Sequence, residues 1–318
     1  MGNTDECKNI ANVIDLHCDT LSKSYDMRVP LTSRELAAGL DRLPDGVRLC
    51  QCMAIFIPDR YRGEAAEAYF DALYRHWCVQ LKLYKNRLRA VTQPDEIAGA
   101  LNSCAYSAIL TVEGGAALGG KLDNVRRLWD LGVRMMTLTW NGANEIAGGV
   151  STDRGFTPFG RKAVGEMEKL GMIVDVSHLS DRGFSELMDF AQRPFIASHS
   201  NSRAVCSHPR NLTDEMFKTI SRSGGLVGLN YYKNFIADNG DTNSIDDLIR
   251  HACHFLELGG EDTIALGSDF DGAELPEYLD GLEKLPSFFD AMGRAGIPPH
   301  VIEKIRYKNA QRFFTSMK

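Results

Sequence analysis

The stretch MIVDVSHLSDRGFSELMDFAQRPFIASH, residues 172–199, decides the fold. Two short apolar runs, Ile173-Val174-Asp175-Val176 and Phe195-Ile196-Ala197, flank segment 181–192, whose apolar residues recur at helical spacing. Ser180 or Asp181 can cap that helix. Strand, helix and strand in this order form a parallel unit, because parallel strands need a long crossover. Each strand ends on a histidine, His178 in the first and His199 in the second. Neighbouring parallel strands carry their C-terminal ends to one face, so the two imidazoles are expected side by side.

The same alternation runs outward in both directions. Strand-like runs are expected at 12–19, 49–58, 107–115, 133–140, 172–178, 194–199, 225–231 and 263–269, about eight in all. Between them, 63–85, 157–170, 181–192 and 244–258 read as helices, and 282–294 and 299–314 read as closing helices. Thr213 is a further expected cap, with Gly171 and Gly259 near helix ends. Eight strands are the number that closes a parallel barrel, so the expected fold is α/β, a single (β/α)8 TIM-type barrel spanning residues 1–318 as one catalytic domain. Segment 20–48 is long for one connection and is expected to hold loop and short helix near the site.

Composition narrows the partners. The 318 residues are 44% hydrophobic and 25% charged, ordinary for a globular chain. A net charge of -6 without a basic run argues against nucleic acid and for a small-molecule substrate. No apolar run of membrane-spanning length occurs and the N-terminus is polar, so neither membrane insertion nor export is expected. The eight scattered cysteines suit reduced thiols and a cytoplasmic location. Cys50 and Cys52, two apart on one strand, read as buried apolar thiols rather than a metal or redox pair.

In a barrel of this kind the C-terminal strand ends face the active site. His17 and Asp19 close the first strand, Glu113 the third, His178 the fifth, His199 the sixth and Asp269 the eighth. His17 and Asp19 are two apart and can reach one ion, although a lone strand-end histidine is more often a hydrogen-bonded structural residue. Glu113 ends an apolar run and needs a partner if buried. Imidazoles and carboxylates suit zinc or a similar divalent ion. Asp175 reads as a buried hydrogen-bond partner. Asp269 can orient or deprotonate a metal-bound water, while Asp271 beside Gly272 reads as a turn residue. Arg210, in the loop after the sixth strand, could hold a substrate carboxylate in bidentate fashion, surface ion pairing being the plainer alternative. His76, His208, His251, His254 and His300 are assigned no chemistry.

Taken together, Asp15-Leu16-His17-Cys18-Asp19, Val112-Glu113-Gly114, Asp175-Val176-Ser177-His178, Ser198-His199-Ser200 with Arg210-Asn211, and Gly267-Ser268-Asp269-Phe270-Asp271-Gly272 resemble the membrane dipeptidase (renal dipeptidase) family of zinc peptidases, in a soluble bacterial-type form. The resemblance covers nearly the whole chain. It implies two zinc ions, one on His17 and Asp19, the other on His178 and His199, with Glu113 bridging both and a hydroxide shared between them as nucleophile. Arg210 and Asp269 match the family's substrate-binding positions, and Asp269 and Glu113 are the expected catalytic residues. The implied substrates are dipeptides, those with a D-residue at the C-terminal position among them, and the implied assembly is a homodimer. One departure stands out: Leu138-Thr139-Trp140-Asn141 carries Trp140 where better-known members have a substrate-contacting histidine. Its indole N–H can still donate one hydrogen bond. The competing readings are another amide or ester hydrolase, such as a deacylase or lactonase, on the same centre, and a non-catalytic metal-binding barrel.

Overall fold

The computed structural model describes residues 11–93 and 96–316; Cys7 and the polar N-terminus lie outside them. Strands β1 (Ala11–Cys18), β2 (Val47–Phe56), β3 (Leu88–Ala90), β4 (Tyr106–Glu113), β5 (Val133–Thr137), β6 (Ile173–Asp175), β7 (Val227–Leu229) and β8 (Ile264–Leu266) form one sheet. Its order is β6-β5-β4-β2-β1-β8-β7, with β3 on β4, and every pairing is parallel.

Two expectations about strands are corrected. The short strand β3 was not anticipated: it pairs with the start of β4, at Tyr106 to Ala108, while β5 takes the same edge from Leu110 onward. Three residues carry too little periodicity to register in a sequence. Conversely, 194–199 is not a strand but makes two isolated parallel bridges, Asp175 with Ile196 and Ala197 with Val227. The reason is local. The N–H of Ser198 bonds to the Asp175 carboxylate and that of His199 to the Ser177 hydroxyl, so side chains have taken donors that a ladder would use. These bridges nonetheless link the two edge strands, β6 and β7, and the sheet is strongly curled.

The two faces of the sheet hold separate apolar clusters. One draws on Ile14 and Leu16, Cys50 and Cys52, Ile109, Met135, Ile173, Ile196, Leu226 and Ala265, and packs against Phe313 and Phe314 of the last helix, Asn309–Ser316. Cys50 and Cys52 are therefore apolar fillers as expected, and burial pushes the Cys50 thiol up to about 12. The other cluster joins Val13, Leu49, Val112, Met136 and Val227 to the helices.

Helices Gly63–Leu83, Pro158–Leu170, Asp181–Leu187 and Asp246–Glu257 lie where periodicity placed them, the third ending well short of residue 192. Ser180 and Thr213 cap their helices by accepting from the N–H groups of Gly183 and Met216. The closing helices begin at Leu285 and Pro299, and a π turn at Lys304–Lys308 interrupts the second. Segment 20–48 contains helix Thr20–Met27 and a 3-10 turn at Leu40–Arg42. Asp271 anchors it, accepting from the Thr20 hydroxyl at 2.6 Å and the Ala37 N–H at 2.8 Å, a larger role than the turn residue expected. No helix among the described residues is long and apolar enough to cross a membrane.

Candidate metal centre

A break in strand register turns His17 toward the site. Asp15 pairs with Gln51, yet Cys18 pairs with Met53, so β1 fits one extra residue between them. Such a bulge re-aims side chains. Leu16 stays in the cluster of Ile14, Cys18 crosses to that of Met53, and the His17 ring stacks on His199 with centroids 3.9 Å apart. Asp19 follows at the start of helix Thr20–Met27, with its Oδ2 3.2 Å from His17 Nε2.

The other strand ends meet at the same place. Glu113 ends β4 with Oε1 2.9 Å from His178 Nε2 and 3.7 Å from His199 Nε2, while Oε2 lies 3.7 Å from His17 Nε2. Its two oxygens thus serve different imidazoles. Asp269 follows β8, Oδ1 4.0 Å from His17 Nε2, and Oδ2 accepts from the Asn230 amide at 3.0 Å. His178 and Asp269 have φ of 68° and 62°, left-handed values that cost a non-glycine residue on the order of 1 kcal/mol or more. Each is held by a neighbour, His178 through Nδ1 to the Asn141 side-chain oxygen at 2.8 Å, Asp269 through Asn230.

Electrostatics set the demand for a cation. Burial pushes the carboxyls of Glu113 and Asp269 above the ordinary range, and Asp19 adds to both. Burial holds the imidazoles of His178 and His199 well below theirs, with neighbouring positive groups adding, so both stand neutral as ligands must. His17 goes the other way. Burial alone would lower it, but Glu113, Asp19 and Asp269 outweigh that and raise it to about 10.

The donor chemistry fits divalent metal ions. His199 Nδ1 lies 2.7 Å from the Ser198 hydroxyl and His178 Nδ1 faces Asn141, so each ring offers Nε2 to the centre. Asp19 Oδ1 is buried without a hydrogen-bond partner. Ligand atoms of His17, Glu113 and His199, and those of His17, Asp19 and Asp269, lie within 4.8 Å of one another.

The centre opens into a cleft of about 500 Å³ lined by Phe56, Trp140, Tyr232 and Lys23. Trp140 stands edge-on to Phe56 at 5.0 Å and 6.4 Å from the His178 ring. Arg210 is buried beneath this level. It donates to the Ser200 hydroxyl and the His199 carbonyl, each at 3.1 Å, lies over the Phe235 ring, and keeps an unpartnered Nε. Burial lowers its guanidinium to about 10, against the pull of Asp269 and Glu113.

Asp175 is the hydrogen-bond hub expected, accepting from Thr137, Ser177 and Ser198. Among the histidines given no chemistry, His251 and His208 are structural: His251 accepts from the Ser202 N–H and donates to Ile236, and His208 accepts from the Arg210 N–H. Sequence reasoning missed Asn141, Asn230 and Phe56. Asn141 and Asn230 each lie just beyond a strand end, the one signal that could have marked them.

Imidazoles and carboxylates gathered at the ends of parallel strands define a class, the metal-dependent hydrolases. Within it the chain belongs to the membrane dipeptidase family, peptidase family M19, whose model matches residues 4–318. It is a metallopeptidase family of peptide-bond hydrolases. The structure resembles that of a metallopeptidase named dipeptidase AC, with a TM-score of 0.91 and 27% identity over 96% of this chain and 98% of the other. It equally resembles a metallopeptidase from Rhodobacter sphaeroides solved with a phosphinate mimic of the dipeptide L-Ala-D-Ala, with a TM-score of 0.91, 25% identity, and 97% and 100% of the chains covered. An uncharacterized dipeptidase of Schizosaccharomyces pombe is 35% identical over 72% of this chain, which spans 55% of that relative's length.

Proposed function

We propose that this chain is a two-zinc dipeptidase acting on small dipeptides, those with a C-terminal D-residue included. The split carboxylate of Glu113 carries the reading. Oε1 faces His178 and His199, and Oε2 faces His17 beside Asp19, which supports Glu113 as the bridge between two ions. The phosphinate bound to the Rhodobacter sphaeroides relative mimics L-Ala-D-Ala, which supports the stereochemical part. The bridges through 194–199, and an apolar cluster fed from β1, β2, β4, β5, β6 and β8 and from Ile196 and Leu226, support a closed (β/α)8 barrel as one domain over 1–318. Free thiols at the seven described cysteines fit a cytoplasmic setting. A homodimer rests on the family resemblance alone.

When bound, the two ions activate water and polarise the scissile carbonyl. The protein's own groups do the rest. Asn141 and Ser198 hold the His178 and His199 rings in place. Asp269, with Oδ2 tied to Asn230, keeps Oδ1 on the site side to take a proton and deliver it to the leaving amine. Its raised affinity for a proton suits that exchange. Arg210 supplies a buried positive charge that draws the substrate's C-terminal carboxylate. Phe56 and Trp140 form an aromatic wall that favours apolar side chains over charged ones.

Metal analysis together with a panel of dipeptides, including mixed-stereochemistry pairs, amides and lactones, tests the reading. Two zinc ions per chain and turnover of dipeptides are expected. Turnover of acylated amines or lactones alone would move the activity to a deacylase or lactonase, and a metal-loaded chain inert to the whole panel would leave a binding protein.

A further inference from the structure

Asp15 and Asp175 sit on different strands and make closely parallel sets of bonds, differing in one donor, a Gln51 amide for a Thr137 hydroxyl. Asp175 Oδ1 accepts the backbone N–H groups of Ser177 at 3.0 Å and Ser198 at 2.8 Å, and Oδ2 accepts the hydroxyls of Ser198 at 2.6 Å and Thr137 at 2.5 Å. Asp15 Oδ1 accepts the backbone N–H groups of His17 at 3.4 Å and Ser268 at 2.9 Å, and Oδ2 accepts the Ser268 hydroxyl at 2.5 Å and the Gln51 amide at 3.0 Å. The registers match too. Asp175 lies opposite Thr137 on one side and Ile196 on the other, and Asp15 lies opposite Gln51 and Leu266. In both cases the serine stands two residues beyond the partner and one before a site residue, His199 or Asp269.

The serines then diverge. Ser198 has one proton, committed to Asp175, so its lone pair accepts from His199 Nδ1 at 2.7 Å and leaves the Nε2 lone pair facing the centre. Ser268, committed to Asp15, accepts instead from the Phe270 N–H at 3.2 Å, which spans the left-handed turn at Asp269. Close packing locks Ser198. A Cβ on Gly228 or Gly267 would stand 1.9 Å from the Ser198 carbonyl oxygen, so neither position admits a side chain.

We propose that Asp15 and Asp175 are a matched pair of positioning residues, Asp175 setting the tautomer and aim of His199 for the metal, and Asp15 setting the turn that presents Asp269 to substrate. Neither touches the reacting atoms. The division of labour rests on the two-zinc reading above and predicts two different failures from two chemically alike lesions. In an Asp175→Asn variant the amide donates where the carboxylate accepted, the Ser198 hydroxyl turns to donate to Nδ1, and the ring proton is driven onto Nε2.

The test compares Ser198→Ala and Asp175→Asn with Ser268→Ala and Asp15→Asn in the full chain loaded with zinc. The readouts are zinc affinity by competition with a chromophoric chelator, and kcat and KM on one dipeptide. The first pair is expected to lose zinc affinity by roughly 10–100-fold. The second pair is expected to bind zinc as the parent does while kcat falls on the order of 100-fold at unchanged KM. The serine variants delete one hydroxyl each and keep the test decisive if an aspartate variant fails to fold. Parental zinc affinity in Ser198→Ala, an equal zinc loss in Ser268→Ala, or parental kcat in Ser268→Ala overturns the proposal. If the parent binds zinc but cleaves no dipeptide, the dipeptidase reading falls, and the contrast in zinc affinity between the two serine variants still decides this one.

Discussion

The Nε2 atoms of His178 and His199 face each other at 3.0 Å, with the Nδ1 of each ring already engaged by Asn141 or Ser198. Two imidazole lone pairs at that separation repel unless a cation lies with them, and Glu113 Oε1 adds a third donor to the same spot. The first prediction follows. Stripping metal with a chelator lowers the melting temperature, and His199→Ala reduces the zinc content by about one ion per chain. Metal analysis and thermal melts with and without chelator check this; an unchanged melt would argue that no ion holds the centre together.

Asp269→Asn keeps the metals and loses most hydrolysis, by about 100-fold or more, since an amide cannot carry a proton between water and amine. The Asn230 contact constrains the new side chain as it does the old one. Steady-state kinetics beside zinc analysis measure it. Full activity in this variant sinks Asp269 as proton carrier.

Arg210→Ala raises KM for free dipeptides more than for their C-terminal amides, because only the former bring a carboxylate to the guanidinium. The same change strips a donor from the buried His199 carbonyl and costs about 1–3 kcal/mol of stability. Parallel kinetics on free and amidated substrates separate the effects. Equal losses on both would remove the clamp and leave the structural role.

Trp140→His replaces the aromatic partner of Phe56 with a group that can stabilise an anion. Preference for apolar side chains falls relative to polar ones, by about tenfold in kcat/KM for the most apolar substrate. Competition between dipeptides in one tube reads this directly; an unaltered ranking would take the wall out of specificity.

Acid stability gives a prediction away from the site. Burial lowers His251 to about 4, and the ring fits only when neutral, Nδ1 accepting from the Ser202 N–H and Nε2 donating to the Ile236 carbonyl. Its folded value lies below the unfolded one near 6.5, so below pH 6.5 the unfolded chain takes up the proton first and stability falls down to about pH 4. The loss over that window is on the order of 3 kcal/mol. His251→Gln is less stable at pH 7 yet loses less between pH 7 and 4, as measured by denaturant titration at several pH values. Parallel pH curves would show that His251 does not contribute.

The clustering of the candidate ligands was legible because each closes an apolar run at the same end, and a parallel sheet leaves such residues one place to meet. His17 with Asp19, Glu113, and His178 with His199 do come together at one point. Other features were opaque for stated physical reasons. Segment 194–199 has the pattern of a strand, yet Asp175 and Ser177 take the N–H groups of Ser198 and His199, and nothing in a one-dimensional pattern reveals a side chain competing with a ladder. Arg210 reads as a loop residue open to surface ion pairing, whereas it is buried against Phe235 and the His199 carbonyl.

The sequence by itself determined which residue types end which strands, and with that the chemistry the chain can hold. Tertiary structure alone decided how they are aimed. The extra residue in β1 turns His17 inward, since a strand's side chains change face with every residue and one insertion swaps them. The paired carboxylates of Asp15 and Asp175 act through serines that are distant in sequence for one and near for the other, Ser268 and Ser198. Hydrogen bonds depend on tenths of an ångström and on direction, and these are fixed only once the sheet has curled and its strands stand in register.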